Sequence, residues 1–187
     1  RVMALSLKDD LLEIPRLDLQ SLPLTDGQRT ELLRTALADP TRIDGRGYVV
    51  IPFATRLDRL SPLTHNHKIH HVEAQLLGSN LGDALARVYL SQGGTGVVVN
   101  GDGEQVVYRL PALTAVLNAI VGDQRVFQGN VFDGDVYLNR RLRDRPVVNS
   151  GWQLGINLRD ETVNQDLDLG SLDDLRIYVY YNDYTEL

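Results

Sequence analysis

Trp152-Gln-Leu-Gly-Ile-Asn-Leu158 and Leu175-Arg-Ile-Tyr-Val-Tyr-Tyr181 are the two stretches whose reading decides the fold. In the first, Trp152, Leu154, Ile156 and Leu158 alternate with Gln153, Gly155 and Asn157, which is the period of a half-buried strand. In the second, Leu175, Ile177 and Val179 form the inward set, and Arg176, Tyr178 and Tyr180 take the other face. The connection from Arg159 to Asp174 carries six carboxylates (Asp160, Glu161, Asp166, Asp168, Asp173, Asp174) and no apolar block long enough for a crossover helix. An antiparallel arrangement within a β-sandwich is therefore expected, not a βαβ unit.

Working outward from this pair, turn signals recur roughly every 8 to 12 residues from Tyr48 to Tyr184, the spacing of a sandwich or jelly roll of about eight strands. Tyr48-Val-Val-Ile-Pro-Phe53 reads as the first strand. Lys68 to Leu77 places Val72, Ala74 and Leu76 on one face, and Ala84 to Leu90 follows after Gly78-Ser-Asn80. Gly93, Gly94 and Gly96 punctuate before Val97-Val-Val99, as a Gly-rich loop between strands. Asn100-Gly-Asp-Gly103 is a hairpin turn leading into Gln105 to Leu110. Leu113 to Ile120 fits either a strand or a short helix; Asp133-Gly-Asp135 is a further turn and Val136 to Leu142 a further strand.

Ahead of the strands, residues 1 to 24 form a weakly patterned arm interrupted by Pro15 and Pro23. One helix is expected next: Thr25 or Asp26 serves as N-cap, Leu32, Leu33, Ala36 and Leu37 recur at helical spacing, and Asp39-Pro40 ends it. The predicted organisation is an N-terminal arm and helix over 1–47 and an all-β sandwich domain over 48–187, antiparallel with Greek-key or jelly-roll connections.

The 187-residue chain has a formal net charge of −6, with basic residues scattered apart from Arg140, Arg141, Arg143 and Arg145. That balance argues against nucleic acid as a partner. The absence of cysteine excludes disulfides, thiolate metal sites and a cysteine nucleophile, and leaves the compartment open. No apolar run reaches the roughly 20 residues of a membrane-spanning helix. No nucleophile elbow, phosphate-binding loop or dinucleotide fingerprint occurs.

Three constellations carry chemical potential. All four histidines fall in His65-Asn-His67-Lys-Ile-His70-His71, and on a regular strand His65, His67 and His71 share a face. Such spacing holds a divalent metal in cupin-type jelly rolls, but Glu73 comes too late for that pattern and no histidine follows His71, so no metal site is assigned. The acidic connection and the Asn100–Glu104 turn offer oxygen ligands for calcium without EF-hand spacing. Tyr178, Tyr180, Tyr181 and Tyr184 gather on the last strand, where tyrosines serve a protein interface or sugar stacking, or simply cover the sheet. Tyr178, Tyr180 and Tyr181 are the candidate binding residues.

The closing pattern Arg145-Pro-Val-Val-Asn-Ser-Gly-Trp152, Asn164-Gln-Asp-Leu-Asp-Leu169 and Leu172-Asp-Asp-Leu-Arg-Ile-Tyr-Val-Tyr-Tyr181 resembles the C-terminal β-sandwich of the large A-component proteins of insecticidal toxin complexes. The resemblance covers the chain from about His71 onward and implies a non-catalytic module for subunit assembly, on a secreted or cell-surface protein. The chain departs from that pattern in carrying its own helix and arm. The expected function is thus an interaction or assembly module of a larger protein, bound to protein partners or to other domains of the same chain. A carbohydrate-binding sandwich, calcium-assisted, is the alternative, and a metal-dependent jelly-roll enzyme comes third.

Overall fold

Alternating apolar residues bury one face of each strand, and in a computed structural model of the chain those faces meet in a two-layer, sandwich-like all-β fold built from two antiparallel sheets. The structure describes residues 1–81, 86–121, 138–157 and 164–185. Within them the strands are β1 Val2–Ser6, β2 Tyr48–Thr55, β3 Thr64–Gly78, β4 Ala86–Val99, β5 Gln105–Val121, β6 Val148–Asn157 and β7 Leu172–Thr185, with one α-helix, α1, at Asp26–Ala38. The strand order is β1-β7-β3-β5-β4-β6-β2. All neighbours are antiparallel except β3 and β5, which meet in parallel only at Gln75–Ile120 and Leu76–Val121. The 17-residue β5 would span about 55 Å if straight. It therefore serves both layers: its first part pairs with β4, and its end reaches β3.

The core is one continuous cluster. Val72, Ala74 and Leu76 of β3 and Leu175, Ile177 and Val179 of β7 supply one layer; Val88 and Leu90 of β4, Trp152, Leu154 and Ile156 of β6, and Val49 and Ile51 of β2 supply the other. The two deciding strands, β6 and β7, both form over their described residues, Leu158 lying outside these, but they lie in opposite layers and neither pairs with the other. The pattern of each strand is local, whereas its neighbour is chosen by contacts far away in sequence. The last strand, β7, inserts between β1 and β3, so the end of the chain is paired on both sides.

Two other readings change, and one left open between strand and helix is resolved. The glycines at 93, 94 and 96 do not interrupt a strand: β4 runs unbroken from Ala86 to Val99, with a bulge between Gln92 and Gly94. Their small size serves close approach, since a Cβ on Gly96 would stand 2.8 Å from Pro146 Cγ, and one on Gly151 of the adjacent strand 2.5 Å from Gly93 O. Leu113 to Ile120 is strand, not helix. Residues 138–142 make only an isolated bridge from Asn139 to Val72, not a strand, and the Asp133–Asp135 turn lies outside the described residues.

The N-terminal arm is part of the sheet. Met3 and Leu5 are buried where β1 pairs with β7, and the single π-helical turn Leu7–Leu11 buries Leu7 and Leu11. A buried carboxylate fixes this turn: Asp174 accepts from Ser6 Oγ (2.6 Å), Lys8 N (3.0 Å) and its neighbour Leu175 N (2.9 Å). Thr25 caps α1 through a reciprocal pair with Gln28, and Pro40 prevents the helix from continuing. Besides burying Leu33 and Leu37, the helix is tied down by Arg29, which donates to Lys8 O, Pro15 O and Asp9, and by Arg34, which donates to Leu172 O and Asp173. The Arg29 guanidinium holds the Asp9 carboxyl below the usual carboxylate range.

Candidate functional site

The β3–β7 register brings the histidines and tyrosines together. His65 lies opposite Tyr184, His71 opposite Tyr180, and Glu73 opposite Tyr178. His71 stacks on Tyr180 with ring centroids 4.2 Å apart, and His65 stacks on Tyr184 at 6.1 Å. Below them Tyr180 donates to Glu73 (3.3 Å) and Tyr178 to Gln75 (2.6 Å). Most of this ladder is not a free surface. Tyr178 and Tyr181 are 8 % and 7 % exposed, Tyr180 is half-buried, and only Tyr184 stands in solvent. Three of the four tyrosines therefore satisfy the sheet itself.

The histidines do not share one face. Pairing slips between His65 and Lys68 and again between Ile69 and His71, and each slip reverses the side to which following residues point. His67 is consequently 3 % exposed, sharing a hydrogen bond with Thr64 Oγ1 (2.7 Å) and meeting Tyr181 edge-on. Its burial pushes the imidazole below the usual histidine range, partly countered by Asp183; burial likewise raises the Tyr181 phenol. His70 and His71 share a hydrogen bond between their Nδ1 atoms (2.7 Å). Thus His65, His67 and His71 do not converge, and among the described residues no group of three or more His, Asp or Glu side chains could hold a metal ion.

Three of the side chains offered to calcium are engaged within the protein. Asn100 Oδ1 accepts from Asp102 N and Glu104 N, Asp168 accepts from Gly170 N and Ser171 Oγ, and Asp174 is the clamp described above. Asp160 and Glu161 lie outside the described residues. Among the arginines, Arg145 is no surface charge: it donates to Gln92 Oε1 (2.8 Å), Gln92 O (3.0 Å) and Pro111 O (2.6 Å), joining β4 to β5.

The feature that stands open is the outer edge of β5. Asn100 N donates to Glu104 O, and Gly103 (φ +80°) supplies the left-handed residue of a three-residue hairpin loop with a bulge. Starting from that bonded pair, antiparallel pairing alternates. Val106, Tyr108 and Leu110 lie opposite Val98, Gly96 and Gly94 and bond to β4. Gln105, Val107 and Arg109 turn their N–H and C=O groups away from it. Two independent contacts agree: the carbonyl of Pro111, next in that series, accepts from Arg145, and Thr95 N, opposite Arg109, donates away from β5 to Ser150 Oγ. Every residue from Gly101 to Arg109 is exposed, with Val106 at 37 %, Val107 at 61 % and Tyr108 at 42 %.

The other edges are guarded. β2 carries Pro52 and is bridged at Val49 by Ile43; β1 is five residues long, with Arg59 donating to Ala4 O; and farther along β5, Asn139 donates to Val116 O. In the sequence Gln105 to Leu110 reads as a strand, and its one distinguishing sign is that Val106, Val107 and Tyr108 are three consecutive large residues with no polar alternation. Which strand ends a sheet is a tertiary fact that no local pattern carries. Among the described residues no helix is long and apolar enough to cross a membrane. No protein-family model matches the chain, and a search of curated proteins likewise finds no match.

Proposed function

We propose that the chain is a non-catalytic interaction and assembly module of a larger protein, and that it engages a polypeptide strand along the β5 edge. The observation that supports this reading is the unguarded run from Glu104 to Leu110, where the backbone groups of Gln105, Val107 and Arg109 turn away from β4 and meet no partner among the described residues, beside the exposed Val106, Val107 and Tyr108. A row of free donors and acceptors is satisfied in full by an added strand, and exposed β-branched and aromatic side chains give that strand apolar contacts. The toxin-complex resemblance implies the same kind of role. Tyr178 and Tyr181 are not part of the proposed surface, because they are buried.

The test is photo-crosslinking with p-benzoylphenylalanine in place of Tyr108. Adducts to polypeptide, removed by Val107→Pro, support the reading. Absence of any polypeptide adduct, or retention on a glycan array that survives Val107→Pro, defeats it.

A further inference from the structure

The free stretch of β5 has defined ends. At one end the Asn100–Glu104 loop turns the chain, and at the other the Pro111 carbonyl is taken by Arg145. Between them lie the seven residues Glu104-Gln-Val-Val-Tyr-Arg-Leu110, and the middle one is Val107. Two identical antiparallel strands related by a two-fold axis must place one residue opposite itself, because cross-strand partners share a face and the axis keeps each residue on its own face. With Val107 on the axis, Gln105 faces Arg109, Val107 faces Val107 and Arg109 faces Gln105. Those are the three residues whose N–H and C=O groups point outward, so one register satisfies all of them on both strands. Centring on Val106 or Tyr108 instead brings in loop residue Gly103 or the donorless, already engaged Pro111.

The side chains agree with that register. Val106 lies opposite Tyr108 twice, an aromatic and β-branched pairing favoured in the closer, non-bonded positions. Arg109 meets the neutral Gln105, and no like charges oppose one another. Resting on the assembly reading above, we infer that the partner at this edge is a second copy of the same chain, paired β5 to β5 about Val107 so that the β5–β4–β6–β2 layers of two copies become one continuous sheet. Seven residues of edge bury little area, so the contact forms reversibly at high local concentration, as in a larger assembly.

Sedimentation equilibrium across a concentration series tests the register itself. The wild-type chain is expected to approach twice the monomer mass as concentration rises. Val107→Asp and Val107→Lys each place like charges opposite one another on an exposed site, and each alone is expected to lose at least tenfold in association. Mixing the two is expected to restore dimer to at least the wild-type level. Val107→Pro removes only an outward N–H, so it is expected to keep the wild-type melting temperature and lose the dimer. A wild-type chain that stays monomeric up to about 1 mM, the weak limit of specific association, overturns the inference. Failure of the mixed charge variants to associate better than either alone also overturns it. If the wild type is monomeric but position 108 crosslinks to a different polypeptide, the second copy is refuted and the assembly reading stands.

Discussion

Removing the hydroxyl of Thr55 by Thr55→Val keeps shape and size while deleting a junction of the second layer. Thr55 is 5 % exposed at the end of β2, where pairing with β6 shifts register. Its Oγ1 donates to Val147 O and accepts from Asn149 N (3.0 Å) and from Trp152 Nε1 (2.8 Å). Valine leaves one carbonyl and two N–H groups without that partner, in a site too enclosed for water to reach freely. An orphaned buried group costs about 1–3 kcal/mol, and partial re-pairing brings the total for three to about 3 kcal/mol. For a chain of this size each kcal/mol moves the melting temperature by about 2–4 °C, so a fall of about 6–12 °C is expected. Thr55→Ser keeps the hydroxyl and is expected to lose less than half as much. Thermal unfolding followed by circular dichroism and by fluorescence of Trp152, the chain's single tryptophan, reads both the global transition and the local site. A loss below about 2 °C for Thr55→Val would refute the assignment of this hydroxyl as a buried junction.

Other positions give sharper contrasts. Gly151→Ala forces a Cβ to within 2.5 Å of Gly93 O and is expected to lower the melting temperature severely or prevent folding, while Gly155→Ala, whose nearest neighbour would be 3.6 Å away, is expected to be far milder. Equal effects of the two would show that β4 and β6 are not so close. Asp174→Ala orphans Ser6 Oγ and Lys8 N, so limited proteolysis should cut within residues 7–24 much faster than in wild type; an unchanged digestion pattern would show that the arm is held by something else. His67 is held below its ordinary value of 6.5 by burial, so the unfolded chain binds its proton more readily than the folded one. Stability is then full above about pH 6.5 and falls as pH drops through that value toward the folded-state value. The wild-type melting temperature is expected to decline across that range, and His67→Gln to flatten the decline; an equally steep decline in the variant would contradict a neutral buried imidazole.

Much of the fold is legible from local pattern, and the failures share a cause. Trp152–Leu158 and Leu175–Tyr181 declare themselves as strands because period-two alternation is written in adjacent residues, and Thr25, Gln28 and Pro40 declare the ends of α1 through caps that reach only three residues. The separation of β6 and β7 into different layers has no such signature, since it is set by β4 and β3, some sixty and a hundred residues earlier. The glycines of β4 read as a loop because local rules treat Gly as punctuation; here the controlling contacts, Ala112, Pro146 and Gly151, come from elsewhere in the chain. Similarly, one-residue slips at Asn66–His67 and His70 are invisible in His-x-His spacing, yet they decide that His67 faces inward and His71 does not. Tyr178 reads as a surface residue because it alternates with Ile177 and Val179. Its burial beside Gln75 is a local packing result, since Arg176 and Tyr184 on the same face stay exposed. Gln105 to Leu110 reads as a strand, but nothing local marks it as an edge.

Residue-resolved amide hydrogen exchange along Gln105–Leu110 in dilute protein tests the open edge most directly. Slow exchange at Val106, Tyr108 and Leu110 alternating with fast exchange at Gln105, Val107 and Arg109 is predicted, with the fast set becoming protected as concentration rises. Uniform protection in dilute protein, or an alternation of the opposite phase, would mean that these backbone groups are already paired and that no edge is offered.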